Sequence, residues 1–239
     1  MASYIFSHAY SVCDVPSTSS SSNWNRTYAT DLNSPSLSFS TFDVPHKFSL
    51  AMTYRKRYAK LFDFSAGVVC QVNSGQRYSL CFGESVDFNG DGVLGSTLMY
   101  IPTKEQMQSM TFADDKSLAN WNSYIESDDY LRSHRGEFAE RNAMQTPMEH
   151  TIDLHLAHGF YFGAQSGRKI ELSLDVMNFG NMLCRHWGTY YNVSGVRLQP
   201  VNISSVQDGV PVYKFTNAKL TQDDLLSRWR MQLGVRVVF

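Results

Sequence analysis

The last twelve residues constrain the fold most. From Arg228 to Phe239 every second position is apolar: Trp229, Met231, Leu233, Val235, Val237 and Phe239. Between them lie Arg228, Arg230, Gln232, Gly234, Arg236 and Val238. Successive side chains of a strand point to opposite faces, so the run predicts a strand that is greasy on one side and polar on the other. A soluble edge strand alternates in the same way. Here the greasy face is unbroken over six positions and carries an aromatic at each end. That is the pattern of a lipid-facing strand whose apolar band is flanked by aromatic girdles.

The rest of the chain has to agree with such a strand. No run of about 18 apolar residues occurs, which excludes a transmembrane helix but not a barrel, whose segments are about 10 residues long and half polar. Apolar residues make up 43% of the 239, within the range of soluble domains, so composition alone does not demand a membrane. The 13 Tyr and 15 Phe against 18% charged residues suit aromatic girdles and equally a sandwich core. A formal net charge of −1 leaves no electrostatic footprint for nucleic acid. Cys13, Cys70, Cys81 and Cys184 have no metal-ligand or CxxC spacing. Met1 leads directly into Ala-Ser-Tyr-Ile-Phe without a basic and then apolar leader, so an envelope location predicts that the chain is a fragment of a longer protein.

Reading the alternation along the chain gives six spanning strands, roughly 2–11, 46–57, 61–82, 148–162, 169–180 and 228–239. The third is unusually long and carries a kink or bulge at Asn73-Ser74-Gly75. Arg57-Tyr58-Ala59-Lys60 and Gln165-Ser166-Gly167-Arg168 make short turns, whereas 12–45, 83–147 and 181–227 are long connections. The Ser/Thr/Asn/Pro-rich first connection predicts an exposed loop. In the second, Leu118, Trp121 and Ile125 recur at helical spacing behind Asp115 and Ser117 as N-caps. A further helix is expected over Asp128 to Asn142, with Arg132, Arg135, Glu137, Glu140 and Arg141 spaced for salt bridges along a solvated face. Val196–Ser205 and Val210–Phe215, joined at Asp208-Gly209, predict a hairpin outside the membrane. The expected fold class is therefore all-β, an antiparallel transmembrane β-barrel segment of about six strands, with long loops containing short helices. The competing reading is a soluble β-sandwich that binds a ligand such as a glycan.

Several runs carry a likeness to a known family. The segment from Asp43 to Arg57, then Tyr78-Ser79, then Asp87-Phe88-Asn89-Gly90-Asp91-Gly92 leading to Tyr100-Ile101-Pro102, resembles the C-terminal barrel of TonB-dependent outer-membrane receptors, closest to the Bacteroidetes-type branch. So do Tyr130-Leu131 with His134 to Asn142, and Asp175 to Asn181 with Trp187-Gly188 after them. The likeness runs in order over essentially the whole chain, 1–239. It implies a 22-stranded bacterial outer-membrane barrel around an N-terminal plug, importing a nutrient with energy relayed by TonB. The plug, the TonB-contacting box and most of the strands are absent from this chain. The partners it implies are outer-membrane lipid, the remaining barrel and plug, the TonB complex through that plug, the barrel assembly machinery and a surface lipoprotein. Nucleic acid is not among them. Trp229, Leu233, Val235, Val237 and Phe239 match the family's terminal assembly signal.

Few residues suggest chemistry. Asp87-x-Asn89-x-Asp91-Gly92 copies the opening ligand positions of a calcium loop, with the Gly that allows the sharp turn. The twelfth position is Leu98 where a bidentate Glu is required, so a solvated Asp/Asn/Gly turn is the competing reading. Asp153 and His155 share one polar strand face, with Glu171, Asp175 and Arg55 on neighbouring ones. An acid–base pair there competes with a hydrogen-bonded lumen wall. No nucleophile elbow or phosphate-cradling loop occurs, so no catalytic residue, no enzyme activity and no cofactor beyond calcium are expected.

Overall fold

The structure, a computed structural model, describes residues 1–85, 87–163 and 167–239. Its principal strands are β1 (Ala2–Phe6), β2 (His46–Tyr58), β3 (Phe62–Asn73), β4 (Arg77–Phe82), β5 (Glu149–Tyr161), β6 (Lys169–Met177), β7 (Arg197–Gln207), β8 (Val210–Phe215) and β9 (Arg230–Val238). They form two larger sheets. One is a six-stranded antiparallel sheet in the order β1-β2-β3-β5-β6-β9. The other has five strands, Met144–Gln145, β4, β7, β8 and Thr111–Phe112, with parallel pairing between β4 and β7 and between β8 and Thr111–Phe112.

The six-stranded sheet is a meander curled into a half-barrel. The curl explains how Arg55 on β2 and Arg236 on β9 line one cavity of about 590 Å³. On a flat sheet four strand spacings would hold those strands about 19 Å apart, at ~4.8 Å each. Its connections alternate long, short, long, short, long, as the sequence predicts. The first short one places Ala59 and Lys60 at φ of 49° and 60°, in the left-handed region that closes tight hairpins. The turn expected at Gln165-Ser166-Gly167-Arg168 lies partly outside the described residues.

The strand bounds need correction. The first strand stops at Phe6, and Tyr10–Ser11 pairs instead with Ser38–Phe39 in a small separate sheet. The last three residues of the 169–180 run leave the ladder after Met177, because Asn178 adopts φ 53° and its Nδ2 donates to the carbonyls of Gly188 and Ser227. The largest correction is at 61–82, which is two strands. Segment 144–161 pairs with both, through Glu149↔Asn73 to Phe160↔Phe62 on one side of the break and Met144↔Tyr78 and Gln145↔Arg77 on the other. Between them the two chains press together. A Cβ at Gly75 would lie 2.2 Å from the Thr146 carbonyl oxygen, so only glycine fits this crossing. Beyond it, all six residues of β4 are buried.

The buried core belongs to the five-stranded sheet. Tyr78, Leu80 and Phe82 of β4 pack with Met99, Ile101, Met107, Trp121, Ile125 and Leu131. Trp121, Ile125 and Leu131 come from two helices, α1 (Asp115–Glu126) and α2 (Asp129–Ser133). The N-cap of α1 is Asp114, whose carboxylate accepts from Ser117 N–H at 2.7 Å, so neither Asp115 nor Ser117 caps it. The helix expected over Asp128 to Asn142 is a single turn. Its charges are drawn to tertiary partners: Arg135 binds Asn122, Glu126 and the Pro102 carbonyl, Arg141 binds the Ser11 and Val12 carbonyls, and Gly136 turns the chain at φ 92°. Only Arg132 pairs along the helix, with Asp129. The expected hairpin is present as β7–β8, with Asp208 and Gly209 both at positive φ.

Candidate functional site

The candidate functional surface is the six-stranded sheet, whose register sorts side chains into two unlike faces. Cross-strand partners line up as Met52↔Val68↔Leu154↔Val176↔Met231 and as Leu50↔Cys70↔Ile152. Leu156, Leu174 and Leu233 form a further row, as do His158, Leu172 and Val235. Every strand therefore contributes its apolar positions to one continuous face. Most of that face is open. Leu233 is 80% exposed, Val235 71% and Phe239 96%, and Met52, Tyr54, Leu172, Trp229, Met231 and Val237 are exposed as well.

Aromatic rings gather at the two ends of this face. At the short-turn end Tyr58 stacks on Phe62 at 5.5 Å, Phe62 meets Phe160 at 5.4 Å, and Phe160 meets Phe162 edge-on at 5.8 Å. At the long-loop end Tyr4 and Phe6 flank His46 at 6.2 and 5.2 Å. Mostly aliphatic side chains fill the rows between, with Tyr54 in one row and Lys56, Phe64 and His158 together in the row nearest the short turns. Phe48 to Tyr58 spans about 33 Å of strand at ~3.3 Å per residue, or about 25 Å in height at a tilt of roughly 40°. The terminal residues singled out by the sequence, Leu233, Val235 and Val237, form one edge row of this face. Trp229 and Phe239 flank it just outside the ladder of β9.

The opposite, concave face is polar and internally bonded. Asp63 accepts from Lys169 Nζ at 3.1 Å and from Tyr161 Oη at 3.0 Å, and Lys169 also binds Glu171 at 2.5 Å. The Arg57 guanidinium lies 4.2 Å above the Tyr161 ring. His155 and Asp175 are register partners, with Nδ1 and Oδ1 2.5 Å apart. Asp153 is not part of that pair, because its Oδ1 accepts from Asn178 N–H at 2.8 Å and anchors the end of β6. The arrangement is a charged wall of matched pairs around the 590 Å³ cavity, which also includes Arg55 and Arg236.

The calcium-like loop closes on itself. Asp87 accepts from the N–H groups of Gly90, Asp91 and Gly92 at 2.8–3.2 Å. Asp91 accepts from Val93 N–H, the Asn89 amide and Ser96 Oγ at 2.7–3.1 Å. These are the bonds of an Asp/Asn/Gly turn. Among the described residues no three His, Cys, Asp or Glu side chains cluster closely enough to hold a metal ion.

What the sequence missed is the junction under the half-barrel. Asp43 is fully buried and pairs with Arg77, Nη2 at 2.9 Å and Nε at 3.0 Å, while accepting from Ala9 N–H at 2.8 Å. The Arg77 guanidinium also sits 3.9 Å over the Phe39 ring. The only signal for it was a lone Asp in Asp43-Val44-Pro45 and a lone Arg following the glycine kink. Set against protein-family models, curated proteins and solved structures, the chain has no match.

Proposed function

We propose that this chain is the C-terminal part of a TonB-dependent receptor barrel in the bacterial outer membrane, which takes up a nutrient ligand with energy relayed by TonB. The observation that carries this reading is the apolar face of the half-barrel. It crosses all six strands in register, is most exposed on its outer strands, and is bordered by aromatic rings. The roughly 33 Å of strand between them would stand about 25 Å high at the tilt of an outer-membrane strand, the height of the apolar band there. A patch of that extent on a soluble monomer would drive association. Lipid is the cover that fits its height and its girdles.

The remaining features accord with it. The alternation of short and long connections is that of periplasmic turns and extracellular loops. The five-stranded sheet and α1 and α2 then stand outside the bilayer with the long loops, where a surface lipoprotein partner would meet them. The charged concave face becomes lumen wall, facing the receptor's plug. Among the described residues β1 and β9 each pair on one side only. Backbone groups left open in lipid are costly, so the reading requires neighbouring strands from the rest of the receptor on both edges. The row Leu233, Val235, Val237 with Trp229 and Phe239 would be read by the barrel assembly machinery. The role assigned to this segment is structural, and no catalytic step is proposed for it.

The test is fractionation of the protein expressed from its complete gene. We expect it in the outer membrane, released only by detergent, and mislocalised when Phe239 is deleted. A soluble monomer that needs no detergent would overturn the reading and leave a soluble β-rich binding module in its place.

A further inference from the structure

Outside the six-stranded sheet, a cavity of about 440 Å³ forms where residues 14–41, 141–142 and 194–196 meet. The geometry points to a binding site for an oxyanion, a carboxylate, sulfate or phosphate group on a small ligand, held by Arg26 and Arg141. The volume lies within the roughly 300–1,000 Å³ typical of small-ligand pockets.

The charge balance around this cavity is uneven. Arg141 is 4% exposed. It donates to the carbonyl oxygens of Ser11 and Val12, forms no ion pair among the described residues, and its buried Nε–H has no partner. A buried cation with no carboxylate in direct contact and with an unmet donor is unfavourable unless something negative completes it. Arg26, on the same wall, is exposed, and its guanidinium makes no hydrogen bond or ion pair among the described residues.

Asp14, the carboxylate of the cavity, is already saturated. Its Oδ1 accepts from Ser11 Oγ and Ser40 Oγ, both at 2.6 Å, and its Oδ2 accepts from Thr41 N–H at 3.0 Å and the Asn142 amide at 3.4 Å. Its charge acts on Arg141 without a direct ion pair, the two being bridged by the Ser11 hydroxyl. The lining therefore keeps one net positive charge and a surplus of donors, which is what an oxyanion needs.

The backbone gives an independent sign. Val15 and Val196 are the β-branched residues found at positive φ among the described residues, at 46° and 59°. Val196 lines the cavity, and Val15 sits between Asp14 and Pro16, which also line it. Valine in this region is strained, and such strain collects at binding sites, where the surrounding structure holds a preset shape. Tyr28 fixes one side by donating its buried phenol to the Gly195 carbonyl. No residue used in this argument belongs to the six-stranded sheet, so the inference does not rest on the membrane reading.

The experiment is calorimetric titration of the purified full chain, in detergent where it needs one, at low ionic strength. The probes share one sugar ring: glucose, glucuronate, glucose 6-sulfate and glucose 6-phosphate. We expect binding of charged probes and none of glucose, with the order among the three naming the preferred oxyanion. Arg26→Gln, at an exposed site that leaves the fold intact, should weaken binding about tenfold or more, the size of a lost charge-assisted hydrogen bond. Arg185→Gln, at an exposed arginine elsewhere, should leave it unchanged. Glucose binding as tightly as glucuronate, no oxyanion binding up to about 10 mM, or equal effects of the two substitutions would overturn the site. Detergent dependence has no bearing on these outcomes, so failure here and failure of the receptor reading can be told apart.

Discussion

Leu80 in β4 and Leu233 in β9 are both leucines on alternating strands, yet the first is 0% exposed and the second 80%. The same contrast holds for their neighbours. Tyr78 and Phe82 are buried beside Leu80, together with Ser79 and Cys81 on the other face, whereas Val235 and Val237 are exposed along with Leu233. The five-stranded sheet is built around a protein core: β4 is buried on both faces, and Trp121, Ile125 and Leu131 of α1 and α2 pack with it, while the tip of the β7–β8 hairpin is exposed. The six-stranded sheet is inverted, with ion pairs on its concave side and aliphatic rows on its outer side. Hydrophobicity along a strand therefore does not say where the strand sits. What separates the two is how far the apolar residues find protein partners: in the half-barrel Val176 does, but the rows of β2 and β9 are largely open.

The largest effect should come from the seam between the sheets. Asp43→Ala leaves the Arg77 guanidinium buried without its partner, a loss of about 3–5 kcal/mol for a broken buried pair. Denaturant unfolding followed by near-ultraviolet dichroism of the extra-sheet aromatics measures it. A loss under about 1 kcal/mol would mean the junction is not closed to water, and that the two sheets are less firmly joined than their shared partner segment 144–161 implies.

The leucines themselves give the most direct test. Leu80→Ala empties space in a packed core and should cost about 2–5 kcal/mol. Leu233→Ala removes a side chain with little protein around it and should cost far less in the same unfolding experiment. Equal losses would place Leu233 in a protein core and break the comparison.

A charge on the outer face sharpens what covers it. Leu233→Arg should cost about 2–4 kcal/mol if the position lies near mid-bilayer, and should sharply reduce assembled protein in the outer-membrane fraction. Gln232→Arg, one residue away on the concave side between Arg230 and Gly234, should be tolerated. If both variants assemble equally well, the alternation in β9 does not separate lipid from lumen.

Much of this contrast was legible in the sequence, for a physical reason. A strand with one wet and one dry face must alternate, so the meander of six strands, its long and short connections and the β7–β8 hairpin could all be read from period two and from Asp-Gly. The break after Asn73 could not. Tyr78, Leu80 and Phe82 continue the alternation of β3 in phase, and burial of the intervening Ser79 and Cys81 leaves no periodic trace. The helix over Asp128 to Asn142 was overextended because its charges have helical spacing but bond elsewhere. Of the site residues, the row Leu233, Val235, Val237 was readable because it is local. The Asp43–Arg77 pair and the Arg26–Arg141 cavity were not, since they join residues tens to more than a hundred positions apart.

The smallest expected effect concerns pH, and it is confined to the soluble-like region. Burial alone would raise the Asp14 carboxyl, but hydrogen bonds from Ser11, Ser40 and Thr41 outweigh it and hold the group below its ordinary value of 3.8. A depressed carboxyl stabilises the fold above its unfolded pKa, and that stability is lost as pH falls through the lower folded value. Asp14→Asn should thus lower the melting temperature modestly at pH 7, and the gap to the parent should close as pH drops below about 4. The Tyr78 and Tyr28 phenols, both pushed up to about 12 by burial, stay neutral across this range and add no slope of their own. If the gap instead stayed constant with pH, the lost stability would come from the altered hydrogen-bond geometry of the amide. The carboxylate charge would then have no part in holding residues 14–41 against Asn142.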